Sequence, residues 1–269
     1  MNSPDNTKAK AVRLLFIADV IGAPGFAILK RLLPELRNEL RPDIIVANGE
    51  NGADGRGFTT ALAMQYKQAG VDVVTGGNHI FDKRQFIEGI SSVPWVLRPM
   101  NFPDGVSGEG VTFFPTSAGD KIAVISLQGR TYMSPIDCPF RTLEGRLSKL
   151  RKKTSLIFVD FHAEATAEKQ ALARYFDGQV SAVIGTHTHV QTADEKIFPN
   201  GTGYLTDAGM TGPMESIIGN AIEPAIQKFR MHIPVPQTIA SGDCMLQGVL
   251  VEIDTPSGRC NSLQRINLK

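Results

Sequence analysis

What most restricts the fold of this 269-residue chain is a series of short, unbroken apolar runs. RLLFIA (13–18), DIIVAN (43–48), DVVTGG (72–77), KIAVISL (121–127), SLIFVDF (155–161), SAVIGT (181–186), GYLTDA (203–208) and MLQGVLVEID (245–254) read as β-strands. A strand with one wet face alternates apolar and polar residues. These runs do not, so both of their faces must be covered. Amphipathic stretches at 25–40, 59–70, 141–153, 166–176 and 222–232 lie between or beside them and read as helices. Pro34 is expected to kink or split the first, whereas Thr residues open the second and Gly70 ends it. Strands alternating with helices indicate α/β layers. The expected arrangement is two mixed sheets face to face with helices outside; a single doubly wound sheet is the alternative.

No linker, repeat or charge run divides the chain, so one domain over 13–269 is expected after a polar, disordered extension at 1–12. Basic and acidic residues balance at 28 to 27 with no basic stripe, which argues against duplex nucleic acid as a partner. Cys138, Cys244 and Cys260 are odd in number, far apart and outside any CxxC pair. They read as reduced thiols of a cytoplasmic protein. Asp19 interrupts the first apolar run too soon for a signal peptide, and no run approaches the ~18 apolar residues of a membrane span.

Metal-competent side chains recur where the strands stop. Asp19 follows the first run, Glu50 and Asn51 the second, and Asn78 and His79 the third. His162 follows LIFVDF, and His187 and His189 follow AVIGT. Ligand sites of α/β sheets gather beyond the carboxyl ends of their strands, so these segments converge on one edge. In an extended GTHTH the two imidazoles would share a face, two residues apart. An oxygen and nitrogen donor set without thiolate suits Fe, Mn or Zn better than Mg or Ca. Asp160 and Asp207 are candidates to orient an imidazole. The glycine-rich NGENGADGRG (48–57) lacks the ending of a P-loop and reads as a loop that approaches the metals. Arg98 and Arg130 could meet either a phosphate or a carbonyl, and His232 reads as structural.

Taken together, Asp19, NGEN (48–51), GNH (77–79), DFHAEAT (160–166), GTHTHVQTAD (185–194) and TDAGMTGP (206–213) resemble the YmdB branch of the calcineurin-like metallophosphoesterases. RP-x-NFP (98–103) and LQGR (127–130) belong to the same pattern, which spans about Arg13 to Ile266. The resemblance implies a four-layer αββα sandwich and a dinuclear centre of transition-metal ions, iron first. It implies hydrolysis of 2′,3′-cyclic nucleotides to nucleoside monophosphates. Carried over, Asp19, Asn51 and His189 would hold one metal, Asn78, His162 and His187 the other, Glu50 would bridge both, and His79 would be the acid. The wider superfamily opens with Asp-x-His, whereas here Val20 and Ile21 follow Asp19, and Asn51 stands in for the missing His. Ala18 and Met100 replace the branch's usual Gly and Ala without removing a ligand.

Two ions about 3.5–4 Å apart would share a bridging hydroxide and polarise the phosphoryl oxygens. His79 would then protonate the leaving ribose oxygen. Two rival readings use the same metals: a general phosphomonoesterase or nucleotidase, and a regulatory protein with secondary phosphodiesterase activity. A barrel-type amidohydrolase also uses HxH but places it after the first strand. The partner expected is a small phosphoester, with no membrane; a homo-oligomer stays open.

Overall fold

The computed structural model describes residues 11–116 and 119–269. The chain begins β1 (Ala11–Ile17), β2 (Asp19–Val20), α1 (Gly22–Leu40), β3 (Ile44–Asn48), α2 (Thr60–Ala69), β4 (Val73–Thr75) and α3 (Arg84–Gly89). It continues β5 (Val111–Pro115), β6 (Lys121–Gln128), α4 (Pro139–Arg151), β7 (Leu156–His162), α5 (Thr166–Tyr175), β8 (Ala182–Thr186), β9 (Lys196–Ile197) and β10 (Gly203–Leu205). β11 (Met210–Pro213), α6 (Ile222–Met231), β12 (Cys244–Asp254) and β13 (Cys260–Leu268) complete it.

Two sheets result. The first has the order β2-β11-β12-β1-β3-β4 with β13 on the outside of β12, and the second β5-β6-β7-β8-β10-β9. Both are mixed: β1, β3 and β4 run parallel while β12 runs against β1, and β6, β7, β8 and β10 run parallel while β5 and β9 oppose their neighbours.

The two-residue period of a strand explains why the runs carry no polar alternation. In β1, Leu15 and Ile17 point to a core shared with Leu29 and Leu33 of α1 and Tyr66 of α2. Leu14 and Phe16 point the other way, into a core shared with Val124 of β6 and Phe158 of β7. In β7, Ile157, Val159 and Phe161 face a third core with Leu143 and Leu147 of α4 and Leu172 of α5. Three cores between four layers make the αββα sandwich. Across its middle the Phe16 and Phe158 rings lie 5.3 Å apart, and burying each such side chain contributes about 1.5–3 kcal/mol.

Pro34 does not split its helix: α1 runs unbroken to Leu40. Pro34 and Lys30, whose carbonyl loses its partner, are both exposed, so water takes up the freed oxygen while Leu33 and Leu36 stay packed. Of the polar extension expected at 1–12, residues 1–10 lie outside the described residues, and Ala11 and Val12 already pair with Asp254 and Ile253. β2, α3, β5, β9, β11 and β13 had no counterpart in the sequence reading. Among the described residues no helix is long and apolar enough to cross a membrane.

Candidate metal centre and its cleft

Asp19 begins β2, Glu50 and Asn51 follow β3, Asn78 follows β4, His162 ends β7, and His187 follows β8. All are thus delivered to one rim, where the two sheets meet. His162 Nε2 lies 3.0 Å from Glu50 Oε1, 3.1 Å from Asn78 Oδ1 and 2.9 Å from His187 Nδ1. Glu50, His162 and His187 form the one metal-competent carboxylate–imidazole group found among the described residues. Ligand bonds of about 2.1 Å at right angles would put neighbouring donors about 3.0 Å apart, so the spacing fits one cation at the middle. Close approach requires a glycine at 77: a Cβ there would stand 2.2 Å from His162 Cδ2 and 2.4 Å from Glu50 Oε2.

A second convergence sits beside the first. The Asn51 side-chain amide lies 3.3 Å from His189 Nε2, and 3.5 Å from both Asp19 Oδ1 and Glu50 Oε1. Turned over, that amide presents Oδ1 at the same point. Glu50 is the residue common to both groups. The HxH segment is not extended, contrary to the sequence reading: His187 has φ 100° and His189 φ 63°. The twisted backbone aims His187 at His162 and His189 at Asn51.

The other ring nitrogen of each imidazole is tied to a fixed oxygen. His162 Nδ1 meets Thr186 Oγ1 at 2.9 Å, and that hydroxyl donates to Asp160 at 2.7 Å. His187 Nε2 meets Glu164 at 3.2 Å, and His189 Nδ1 meets the Ile218 carbonyl at 2.9 Å. With these nitrogens donating, the lone pairs of the other three point to the two convergence points, the arrangement that metal-binding histidines show. Asp160 therefore acts through Thr186. Asp207 touches no imidazole; it accepts from Thr188 N and Thr188 Oγ1 at 3.1 and 2.8 Å, and pairs with the buried Lys169 at 2.8 Å.

Electrostatics agrees with a cation site. Burial disfavours the Asp19 carboxylate and raises its pKa, although His189 and His162 oppose this. Burial works against charge on both Glu50 and His162, yet each sustains the other, holding Glu50 at about 2 and His162 at about 9. Burial and His162 push His187 down to about 3, leaving a neutral imidazole able to ligate. Buried carboxylates held by imidazoles alone are a poor substitute for a divalent ion.

His79 is set apart from the cage. Its Nδ1 lies 2.8 Å from Asp82, which also accepts from Arg56, and its backbone N–H donates to Glu50 at 3.0 Å. Its Nε2 lies 3.0 Å from Asn78 Nδ2, so Asn78 spans the space between cage and His79. A cleft of about 980 Å³ opens over the centre, with Glu50, Asn51, His79, His187 and His189 on its floor. Its opposite side comes from residues 218–239, around and after α6. Arg98 lies elsewhere, donating to the carbonyls of Pro99, Val106 and Ser107, and His232 caps α6 with φ 54°. Sequence reasoning missed Asp82, Glu164, Lys169 and Ile218. Only Asp82, three residues after His79 in a turn, left a readable signal.

Known proteins are similar to this chain across nearly its whole length. A 2′,3′-cyclic-nucleotide 2′-phosphodiesterase of Bacillus subtilis (strain 168) is 45% identical over 255 residues, covering 95% of this chain and 96% of the relative. A crystal structure of a novel phosphatase from Mycoplasma pneumoniae superposes with a TM-score of 0.90 at 31% identity, covering 97% of this chain and 94% of that one. A crystal structure of a hypothetical protein from Thermus thermophilus superposes with a TM-score of 0.88 at 39% identity, covering 95% of this chain and 98% of that one. The family model described as YmdB-like protein matches residues 15–266. With its two facing sheets and its rim of metal-competent side chains, the chain belongs to the YmdB-like family.

Proposed function

We propose that the chain, with 13–269 acting as one unit, is a metal-dependent phosphodiesterase. It opens 2′,3′-cyclic nucleotides to nucleoside monophosphates in the cytoplasm. The observation that carries the reading is the pairing of three imidazoles with fixed oxygens, which turns their remaining nitrogens onto two adjacent points sharing Glu50. The activity named for the Bacillus subtilis relative supports the substrate class. In this reading Asp19, Asn51 and His189 hold one ion, Asn78, His162 and His187 the second, and Glu50 both. Iron is placed first on the family resemblance alone, and the all-oxygen and imidazole donor set suits Fe, Mn and Zn alike.

Bound there, the ions supply Lewis acidity at the phosphoryl group and lower the pKa of water. The protein's part is placement and proton transfer. Hydrolysis adds one water across a P–O bond, oxygen to phosphorus and a proton to the ribose oxygen that leaves. With Nδ1–H given to Asp82, the His79 imidazolium would deliver its Nε2 proton to that oxygen, in place of the 3.0 Å contact that Nε2 makes with Asn78. Asp82 fixes the ring, and Arg56 fixes Asp82. Side-by-side turnover of adenosine 2′,3′-cyclic phosphate and adenosine monophosphate tests the assignment. Preferred turnover of the cyclic diester is expected. Preference for the monoester would make the protein a phosphatase, as the Mycoplasma pneumoniae structure is described.

A further inference from the structure

Ile218 occupies a backbone position that its residue type disfavours. Residues 217–220 form a two-residue hairpin, with Ile217 N donating to the Asn220 carbonyl and Asn220 N donating back at 2.9 and 3.0 Å. The central residues Ile218 and Gly219 have φ of 49° and 97°, the signs of a type I′ turn. Such turns favour Asn-Gly, and a β-branched residue in the left-handed region is strained. Ile218 is nevertheless half exposed, at 49%, and its exposed surface lines the cleft. Strain retained beside a functional centre points to a task for the side chain.

That task follows from the cleft's two halves. The floor is polar and serves a phosphoryl group, which fills only part of about 980 Å³. The facing side carries Ile218, Val235 and Ile239 with Pro234 and Pro236, among which Asn220, Lys228 and Gln237 are the polar exceptions, and Ile21 adjoins it. The isoleucines, valine and prolines offer an anion nothing and suit the faces of a sugar and base. The Ile218 carbonyl also holds His189 at 2.9 Å. One residue therefore sets the distance between the apolar wall and the centre.

We infer that Ile218 is a specificity-determining residue, its side chain being the wall on which the nucleoside half of a cyclic nucleotide packs. The inference rests on the proposed cyclic-nucleotide activity. Ile218→Asn supplies the Asn-Gly pair that the turn favours and keeps the carbonyl that holds His189. The variant is expected to melt about 2–4 °C higher. Its KM for adenosine 2′,3′-cyclic phosphate should rise about tenfold, with kcat falling less and bound metal unchanged. Ile218→Val keeps both the strain and an apolar branch, and should return KM and melting temperature to wild-type values. An unchanged KM in Ile218→Asn, a lower melting temperature or a loss of metal would each overturn the inference. Wild-type protein that opens no cyclic nucleotide would instead bring down the functional reading beneath it.

Discussion

His162, His187 and His189 show how much a single residue's surroundings decide. What distinguishes each from a solvated or structural histidine, and makes it a candidate ligand, is the oxygen behind it: Thr186, Glu164 and the Ile218 carbonyl. Thr186→Val removes the hydroxyl behind His162 and should weaken metal binding about 10–100-fold, read by titration of metal-stripped protein. His79 should behave differently. His79→Ala is expected to keep its metals and lose about 10²–10⁴-fold on 2′,3′-cyclic nucleotides. The loss on p-nitrophenyl esters should be much smaller, because p-nitrophenolate leaves without a proton. Equal losses on the two substrates would remove the acid role, and loss of a metal would make His79 a ligand. The strand-end positions of the candidate ligands were legible in the sequence because where a strand stops is set locally. Glu164 and Ile218 were not, since their places depend on loops that tertiary contacts fix.

Among the elements, β8 and the turn after it carry the tightest constraint. His187 and His189 take left-handed φ values, and Thr188 between them is held twice by Asp207, whose charge is met by Lys169. Both charged groups are fully buried. Lys169→Met strands the Asp207 carboxylate and should cost about 3–5 kcal/mol, a fall of roughly 10 °C in melting temperature. A change under about 2 °C would mean that the turn holds itself. The extended reading of GTHTH failed here, for alternation says nothing of a loop bent by a buried carboxylate. Strands covered on both faces were easy to read, as in LIFVDF of β7, where every residue is buried. β13 escaped because it lies outside β12 with mostly exposed or half-buried residues, and β11 because MTGP carries Gly and Pro. α6 was found by its period alone, although Ala225 is its only buried residue.

Over the whole molecule, the sandwich brings the carboxyl ends of both sheets to one rim. The first sheet supplies Asp19, Glu50, Asn51 and Asn78, and the second supplies His162, His187 and His189. Ions bound there would tie the two sheets together, as ligands that bind only the folded state do. At a hundred times Kd such binding contributes about 2.7 kcal/mol per site. Chelation should therefore lower the melting temperature by roughly 5 °C or more, and metal should restore it. Sequence alone could place neither the seam nor the division of ligands between sheets, because strand order β2-β11-β12-β1 joins segments almost two hundred residues apart. The direct measurement is metal stoichiometry in active protein, for wild type and Glu50→Ala. Two transition-metal ions per chain in the wild type, and none in Glu50→Ala, is the result expected of a centre bridged by Glu50. One ion or none in fully active wild type, or a variant that keeps either ion, would contradict it.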